Sequence, residues 1–174
     1  MNIEEALSQE HSKANATAIK NIILRDEKLI NDLMNLFLGS DYRLCQRSAF
    51  VVSLIGKEAP ELLIPYHQDM VSALASSDND AILRNTLRIF ENISLNEDLE
   101  GILFENAYNL FENPNHAIAI RVFAMTVCTN ISKRYPELAQ EMMVAIKLHN
   151  STEAKPAYRS RARKCIKILE TALK

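Results

Sequence analysis

Glycine, proline and tryptophan are scarce in this 174-residue chain, which contains three Gly, five Pro and no Trp. So few turn-forming residues leave little material for tight hairpins, glycine-rich loops or a barrel of strands. Helix-forming residues recur instead, chiefly Ala, Leu, Glu, Lys, Met and Arg. Since 48% of the residues are hydrophobic and 24% are charged, the composition is typical of a globular protein rather than a disordered one. We therefore expect an all-α protein whose residues 1–174 form a single domain.

The sequence also lacks the signals of secretion and of membrane insertion. Its acidic N-terminus does not have the layout of a signal peptide, and no apolar run approaches the ~20 residues that a membrane span needs. The three cysteines, Cys45, Cys128 and Cys165, are far apart and lie in apolar helical stretches. This favours buried free thiols over a disulfide framework or a metal site. We expect a cytoplasmic protein that does not enter a membrane.

The charge of the chain is unevenly distributed. Its formal net charge of −2 argues against a general polyanion binder. Residues 155–174 nevertheless contain seven Lys or Arg and one Glu, a local net charge of +6, which leaves −8 for residues 1–154. The last segment therefore differs in kind from the rest.

A repeat of 37 residues runs through the chain. Arg47, Arg84 and Arg121 are spaced by 37 residues, and each follows an acidic or Asn-rich turn and precedes an amphipathic run. A fourth copy near Pro156 contains Arg163, 42 residues after Arg121. A second family of helices alternates with these segments and opens at Leu29, Leu62, Leu99 and Leu138.

These two families predict four helix pairs, at about 27–56, 60–93, 97–133 and 136–172. Helical residues 3–24 precede them as an N-terminal cap, either as one helix or as two helices broken near His11 and Ser12. The predicted N-caps of the second helices are Asp41, Asn79 and Asn115. Two short helices cannot bury both apolar faces alone, so the pairs are expected to stack as a solenoid. A plain helical bundle with accidental periodicity is the alternative.

The second helices resemble HEAT repeats, in which a polar turn with Asp or Asn leads into a helix with a buried-side Arg. The matching segments are Asp41 before Arg47-Ser48-Ala49, Asp80 before Arg84-Asn85-Thr86, and Asn115 before Arg121-Val122-Phe123. Pro65, inside the helix predicted to begin at Pro60, is similar to the kinking proline of HEAT first helices. The resemblance implies an all-α, right-handed α–α superhelix of about four HEAT-like pairs. The period is shorter than the ~40–47 residues usual for this class, and the related armadillo repeats remain an alternative.

No motif of catalysis or cofactor binding is recognised. The four histidines lie one to a region and lack metal-ligand spacing, so helix capping or solvent exposure is expected of them. With three glycines the chain has no phosphate-binding loop, and no Gly-x-Ser-x-Gly motif occurs. We expect no enzymatic activity, no cofactor and no metal.

Basic side chains are the candidate binding residues. We define the basic patch by the six cations at the start of the last helix, which are Lys155, Arg159, Arg161, Arg163, Lys164 and Lys167. A solvated end of the solenoid is the alternative interpretation of this patch. Arg43 and Arg88 are candidates for the concave face that second helices line in HEAT-like proteins. For the repeated Arg47, Arg84 and Arg121, a structural bond to a neighbouring turn is favoured over a ladder of binding residues.

These observations favour a non-catalytic scaffold that binds a protein or peptide partner, and the basic patch suits an acidic one. The alternative is a nucleic-acid-binding protein of the helical-repeat DNA glycosylase type, whose basic groove cradles a damaged nucleotide between aromatic residues. Aromatics make up only 6% of this chain, and residues 1–154 are acidic. We therefore prefer the scaffold.

Overall fold

The computed structural model describes residues 2–149 and 155–174. All regular secondary structure within these residues is helical, and it includes two 3₁₀ stretches at Glu27–Leu29 and Pro60–Tyr66. The α-helices are α1 (Ile3–Gln9), α2 (Lys13–Ile23), α3 (Ile30–Phe37), α4 (Tyr42–Glu58), α5 (His67–Ser76), α6 (Asp80–Phe90), α7 (Glu97–Glu112), α8 (Ile118–Ser132), α9 (Pro136–His149) and α10 (Pro156–Ala172). The expected all-α class is confirmed. The interpretation of residues 1–174 as one domain stays a prediction.

The N-terminal segment consists of two helices rather than one. Ser12 is the N-cap of α2, and its hydroxyl oxygen accepts a hydrogen bond from the backbone N–H of Asn15 at 3.1 Å. The side-chain amide of Asn15 donates hydrogen bonds to the carbonyl oxygens of Ala6 and Glu10, both at 2.9 Å. The carbonyls at the end of α1 are therefore satisfied by a side chain of α2, which fixes the break.

Polar N-cap side chains mark the starts of α1, α2, α4, α6 and α7. Asp41 and Asn79 cap α4 and α6, because their side-chain oxygens accept hydrogen bonds from Leu44 N–H and Ala81 N–H. The predicted cap at Asn115 is wrong, since α8 begins three residues later and Ala117 is its N-cap. Asn115 instead donates its backbone N–H to the side chain of Asn113 at 3.0 Å. This local Asx turn competes with helix capping.

The first helix of the second predicted pair departs from the expected kinked α-helix. Residues Pro60–Tyr66 form a 3₁₀-helix, and α5 begins only at His67. In an α-helix Pro65 would lack an N–H to donate to the carbonyl of Glu61, and its ring would clash with that carbonyl. The backbone instead takes the tighter 3₁₀ form over the seven residues of this stretch before α5 begins.

The first of two compact units is Met1–Leu95, and α4 is its centre. Helix α4 packs against α1, α2, α3, α6 and the 3₁₀ stretch at 60–66. Its small and branched side chains Cys45, Ala49, Val52 and Ile55 are fully buried. Such packing on several sides explains why so much of this helix is apolar.

The second unit, Asn96–Lys174, is organised around α8 in the same way. Helix α8 packs against α7, α9 and α10, and α9 also packs against α10. Ala124, Met125 and Cys128 of α8 are fully buried between these neighbours. The last helix is thus held from two directions, which fixes the side that it exposes.

Candidate functional site

Helix α10 carries the basic patch, and an apolar stripe determines which of its sides is exposed. Pro156 occupies its first turn, where a missing N–H costs nothing. Tyr158, Ala162, Cys165 and Leu169 recur at helical spacing and are buried. Ile166, which adjoins this stripe, is only half-buried.

Tyr158 anchors the start of α10 in the second unit. Its ring stacks on Phe111 of α7 with centroids 6.5 Å apart, and the Arg121 guanidinium lies 5.4 Å from its centroid. Burial raises the pKa of Tyr158 to about 12, although the positive charge of Arg121 acts in the opposite direction. The phenol is therefore neutral at physiological pH and acts as a packing group.

The structure separates Arg161 from the rest of the basic patch. Its guanidinium donates a hydrogen bond to the hydroxyl oxygen of Thr126 and lies 5.8 Å from the ring centroid of Phe123. Arg161 therefore ties α10 to α8 and is half-buried. The other five cations of the patch are exposed, namely Lys155, Arg159, Arg163, Lys164 and Lys167.

A surface groove runs beside the last two turns of α10. We define this α10 groove by its lining residues, which are Lys133, Lys164, Lys167, Ile168, Thr171 and Ala172. Its volume is about 640 Å³, and Ile168 on its floor is 40% exposed. Sequence reasoning missed Lys133 and Ile168. The available signal was the aliphatic Ile168 on an otherwise charged side of the helix.

Comparison with known proteins identifies the family. A family model described as a HEAT repeat domain matches residues 3–169, nearly the whole chain. The chain belongs to the HEAT repeat family. No curated protein matches it. The resemblance inferred from the second helices is thus confirmed.

The repeated arginines of this HEAT chain bond to backbone carbonyls in two cases out of three. The guanidinium of Arg47 donates to the carbonyl oxygen of Leu7 at 2.7 Å, and Nε of Arg121 donates to that of Phe111 at 2.9 Å. Both acceptors lie in the last turns of helices, where carbonyls lack intrahelical partners. Arg84 is half-buried and forms no hydrogen bond or ion pair within the described residues.

The two arginines expected on the concave face of the HEAT repeats lie in the first unit. Arg43 is in the first turn of α4, Arg88 is in the last turn of α6, and both are exposed. Arg43 is four residues before Arg47 and Arg88 is four residues after Arg84, so each lies on the same side of its helix as that repeated arginine. Their role in binding stays a prediction.

Two pairs of titratable side chains lie in the second unit of this HEAT chain. His149 lies 3.0 Å from a carboxylate oxygen of Glu112, and the buried Glu100 pairs with Arg134. The expectation of capping or exposure is wrong for His67, which is buried against Phe90 with centroids 5.7 Å apart. Over the same residues no group of three or more His, Cys, Asp or Glu could hold a metal ion.

No helix in the described residues is both long enough and apolar enough to cross a bilayer.

Proposed function

We propose that this HEAT protein is a non-catalytic scaffold whose basic patch binds an acidic protein or peptide. HEAT repeats are generally scaffolds that often mediate protein interactions, and a helical repeat presents an extended surface for such contacts. The three buried cysteines suit a reducing compartment, so we include a cytoplasmic location in the proposal.

The exposed cations of α10 are the observation that carries this proposal. Five of the six members of the basic patch project into solvent, and Glu170 is the one acidic residue of the helix. Within the described part of the chain, none of these five forms an ion pair. Like charges this close repel one another, and a ligand rich in carboxylates relieves that repulsion.

The fixed position of Arg161 adds to the argument. Its bond to Thr126 and its contact with Phe123 hold α10 against α8. The neighbouring cations are therefore presented from a rigid helix, which lowers the entropic cost of binding. A solvated end of the repeat needs no such rigidity.

Charge reversal tests the proposal. We expect the Arg159→Glu/Arg163→Glu/Lys167→Glu variant to lose the proteins that the wild type captures from a lysate of its native cells. A matched control makes the same change in net charge on exposed cations of the first unit, by Lys13→Glu/Arg25→Glu/Lys28→Glu. Capture that survives in the α10 variant, or that is lost equally in both variants, would show that the patch is a solvated end of the repeat.

Nucleic acid is the competing ligand of a basic surface, and salt separates the two. A random-sequence DNA duplex held by several phosphate contacts loses on the order of 10³-fold or more in affinity between about 50 and 200 mM salt. We expect no binding of such a duplex at the lower salt concentration in a fluorescence anisotropy titration. Salt-sensitive DNA binding that depends on the basic patch would contradict the scaffold.

A further inference from the structure

The α10 groove combines an apolar floor with a rim of like charges. The lining contains two apolar side chains, Ile168 and Ala172, which we call the floor, and three lysines, Lys133, Lys164 and Lys167, which we call the rim. We propose that this groove is the docking site for an acidic amphipathic helix of a partner protein. The inference rests on the proposed scaffold function and specifies both the surface and the class of ligand.

Charge complementarity is the first argument for this ligand. The groove is lined by no acidic side chain, and its three lysines form no ion pair within the described residues. A ligand with carboxylates on its flanks can therefore pair with these ammonium groups. Rim pairs of this kind set the register and the rate of association more than the affinity.

The apolar floor provides the hydrophobic contact that the charged rim lacks. Ile168 is 40% exposed on a helix whose exposed residues also include Lys164 and Lys167. The aliphatic stems of Lys164 and Lys167 extend this apolar surface while their charged ends stay in water. An aliphatic side chain of the ligand is therefore buried at the centre, where interface residues contribute most.

The hydrogen-bonding capacity of the groove favours a helix over an extended peptide. Its lysines can only donate, and the hydroxyl of Thr171 already donates to the carbonyl oxygen of Lys167 at 2.8 Å. The Thr171 oxygen is then the one side-chain acceptor in the lining for the N–H groups of an extended chain. A helix pairs its own backbone groups and needs no such acceptors.

The dimensions agree with a short helix. Residues 164–172 of α10 rise by roughly 12 Å, about two helical turns. A ligand helix that runs along this stretch presents apolar residues at i, i+3 and i+4 to the floor. Carboxylates on both sides of that stripe then lie over the lysines.

A binding assay with designed peptides tests the inference. The probe is a fluorescent helical peptide with leucines along one face and glutamates on both flanks. One control peptide has the same composition scrambled so that the leucines share no face, and a second replaces every leucine with glutamine. We expect the wild-type protein to bind the amphipathic probe at least about tenfold more tightly than either control in fluorescence anisotropy.

Paired variants locate the site on α10. We expect Lys164→Glu/Lys167→Glu to weaken the amphipathic probe about tenfold, and Arg159→Glu/Arg163→Glu, on the same helix but outside the groove, to weaken it less than about threefold. Ile168→Ser should also weaken it, whereas Val144→Ser, which changes a 65% exposed residue of α9, should not. Circular dichroism melts confirm that each variant is folded, and the four charged positions are exposed in the wild type.

The outcomes separate this inference from the function on which it rests. If lysate capture requires Arg159 and Arg163 while the groove variants behave as wild type, the groove is wrong and the scaffold stands. If no variant of α10 affects either assay, both are wrong. The groove proposal is also wrong if the protein binds the leucine-free peptide or a DNA duplex and Ile168→Ser does not weaken that binding. It is equally wrong if the wild type sediments as a dimer that Ile168→Ser dissociates.

Discussion

His67 is a buried imidazole at the start of α5. Burial lowers its pKa below the ordinary 6.5, and its Nε2 has no hydrogen-bond partner among the described residues. In the unfolded chain the same imidazole is solvated and takes up a proton near its ordinary pKa. Below that pH the unfolded state therefore binds more protons than the folded state.

This difference predicts that stability is lost on mild acidification. The contribution of His67 is fully present above pH 6.5 and is lost as the pH falls below that value, because the folded pKa is the lower one. We expect the free energy of unfolding in urea to fall between about pH 7.5 and about pH 5.5, and to fall less in His67→Leu. The exposed His11, changed to Gln, is the control and should keep the wild-type slope; equal slopes in wild type and His67→Leu would contradict the assignment.

The repeated arginines show how far single residues are predictable. Their strict spacing correctly favours a structural role for Arg47 and Arg121, each of which donates to a carbonyl near a helix end. Arg84 has the same register but no such bond within the described residues. The spacing places a guanidinium on a helix side, but whether an acceptor lies within reach depends on the neighbouring helix, which periodicity does not describe.

At the scale of the helix, capping can be tested with two residues of similar sequence context. Asp41 accepts a hydrogen bond from Leu44 N–H at 2.9 Å and caps α4, whereas the side chain of Asn115 caps no helix. We expect Asp41→Ala to lower the free energy of unfolding by about 1 kcal/mol and Asn115→Ala to leave it nearly unchanged. Urea denaturation followed by circular dichroism measures both, and an equal loss in the two variants would contradict the structure.

Helix boundaries follow from the sequence where a polar cap directly precedes an apolar stripe, and less well elsewhere. The start of α8 differs from the prediction because Asn113, Pro114 and Asn115 offer competing turns, and the Asn113 side chain forms a local one. The 3₁₀ stretch at 60–66 was misjudged for a different reason. A proline signals that an α-helix is interrupted, but the form of the interruption depends on how Leu63 packs in the core, where it is fully buried.

At the scale of the whole chain, the class of fold was the most predictable property. The recurrence of two helix families at nearly equal spacing specifies a helical repeat before any contact is known, and the family match agrees. The division after Leu95 was not predictable, because the residues between α6 and α7 look like the turns of the other repeats. The α10 groove was not predictable either, because it brings Lys133 close to residues more than thirty positions later in the chain.

The thiols give a prediction for the chain as a whole. Cys45, Cys128 and Cys165 are buried, and burial raises the pKa of Cys45 and of Cys128, so the reactive thiolate is disfavoured. We expect a thiol-reactive aromatic disulfide to label none of the three cysteines in the native protein and all three in concentrated urea, as read by absorbance. Rapid labelling of the native protein would show that one of the cores opens readily.

Because its thiols are buried, the native protein offers cysteine reagents no accessible thiol among these three. A Thr171→Cys substitution at the edge of the α10 groove then provides a single accessible attachment point on the folded chain. A fluorophore or photocrosslinker attached there reports on one groove without removal of the native cysteines. The packing that protects the three sulfurs thus makes the protein a ready carrier for site-specific labels.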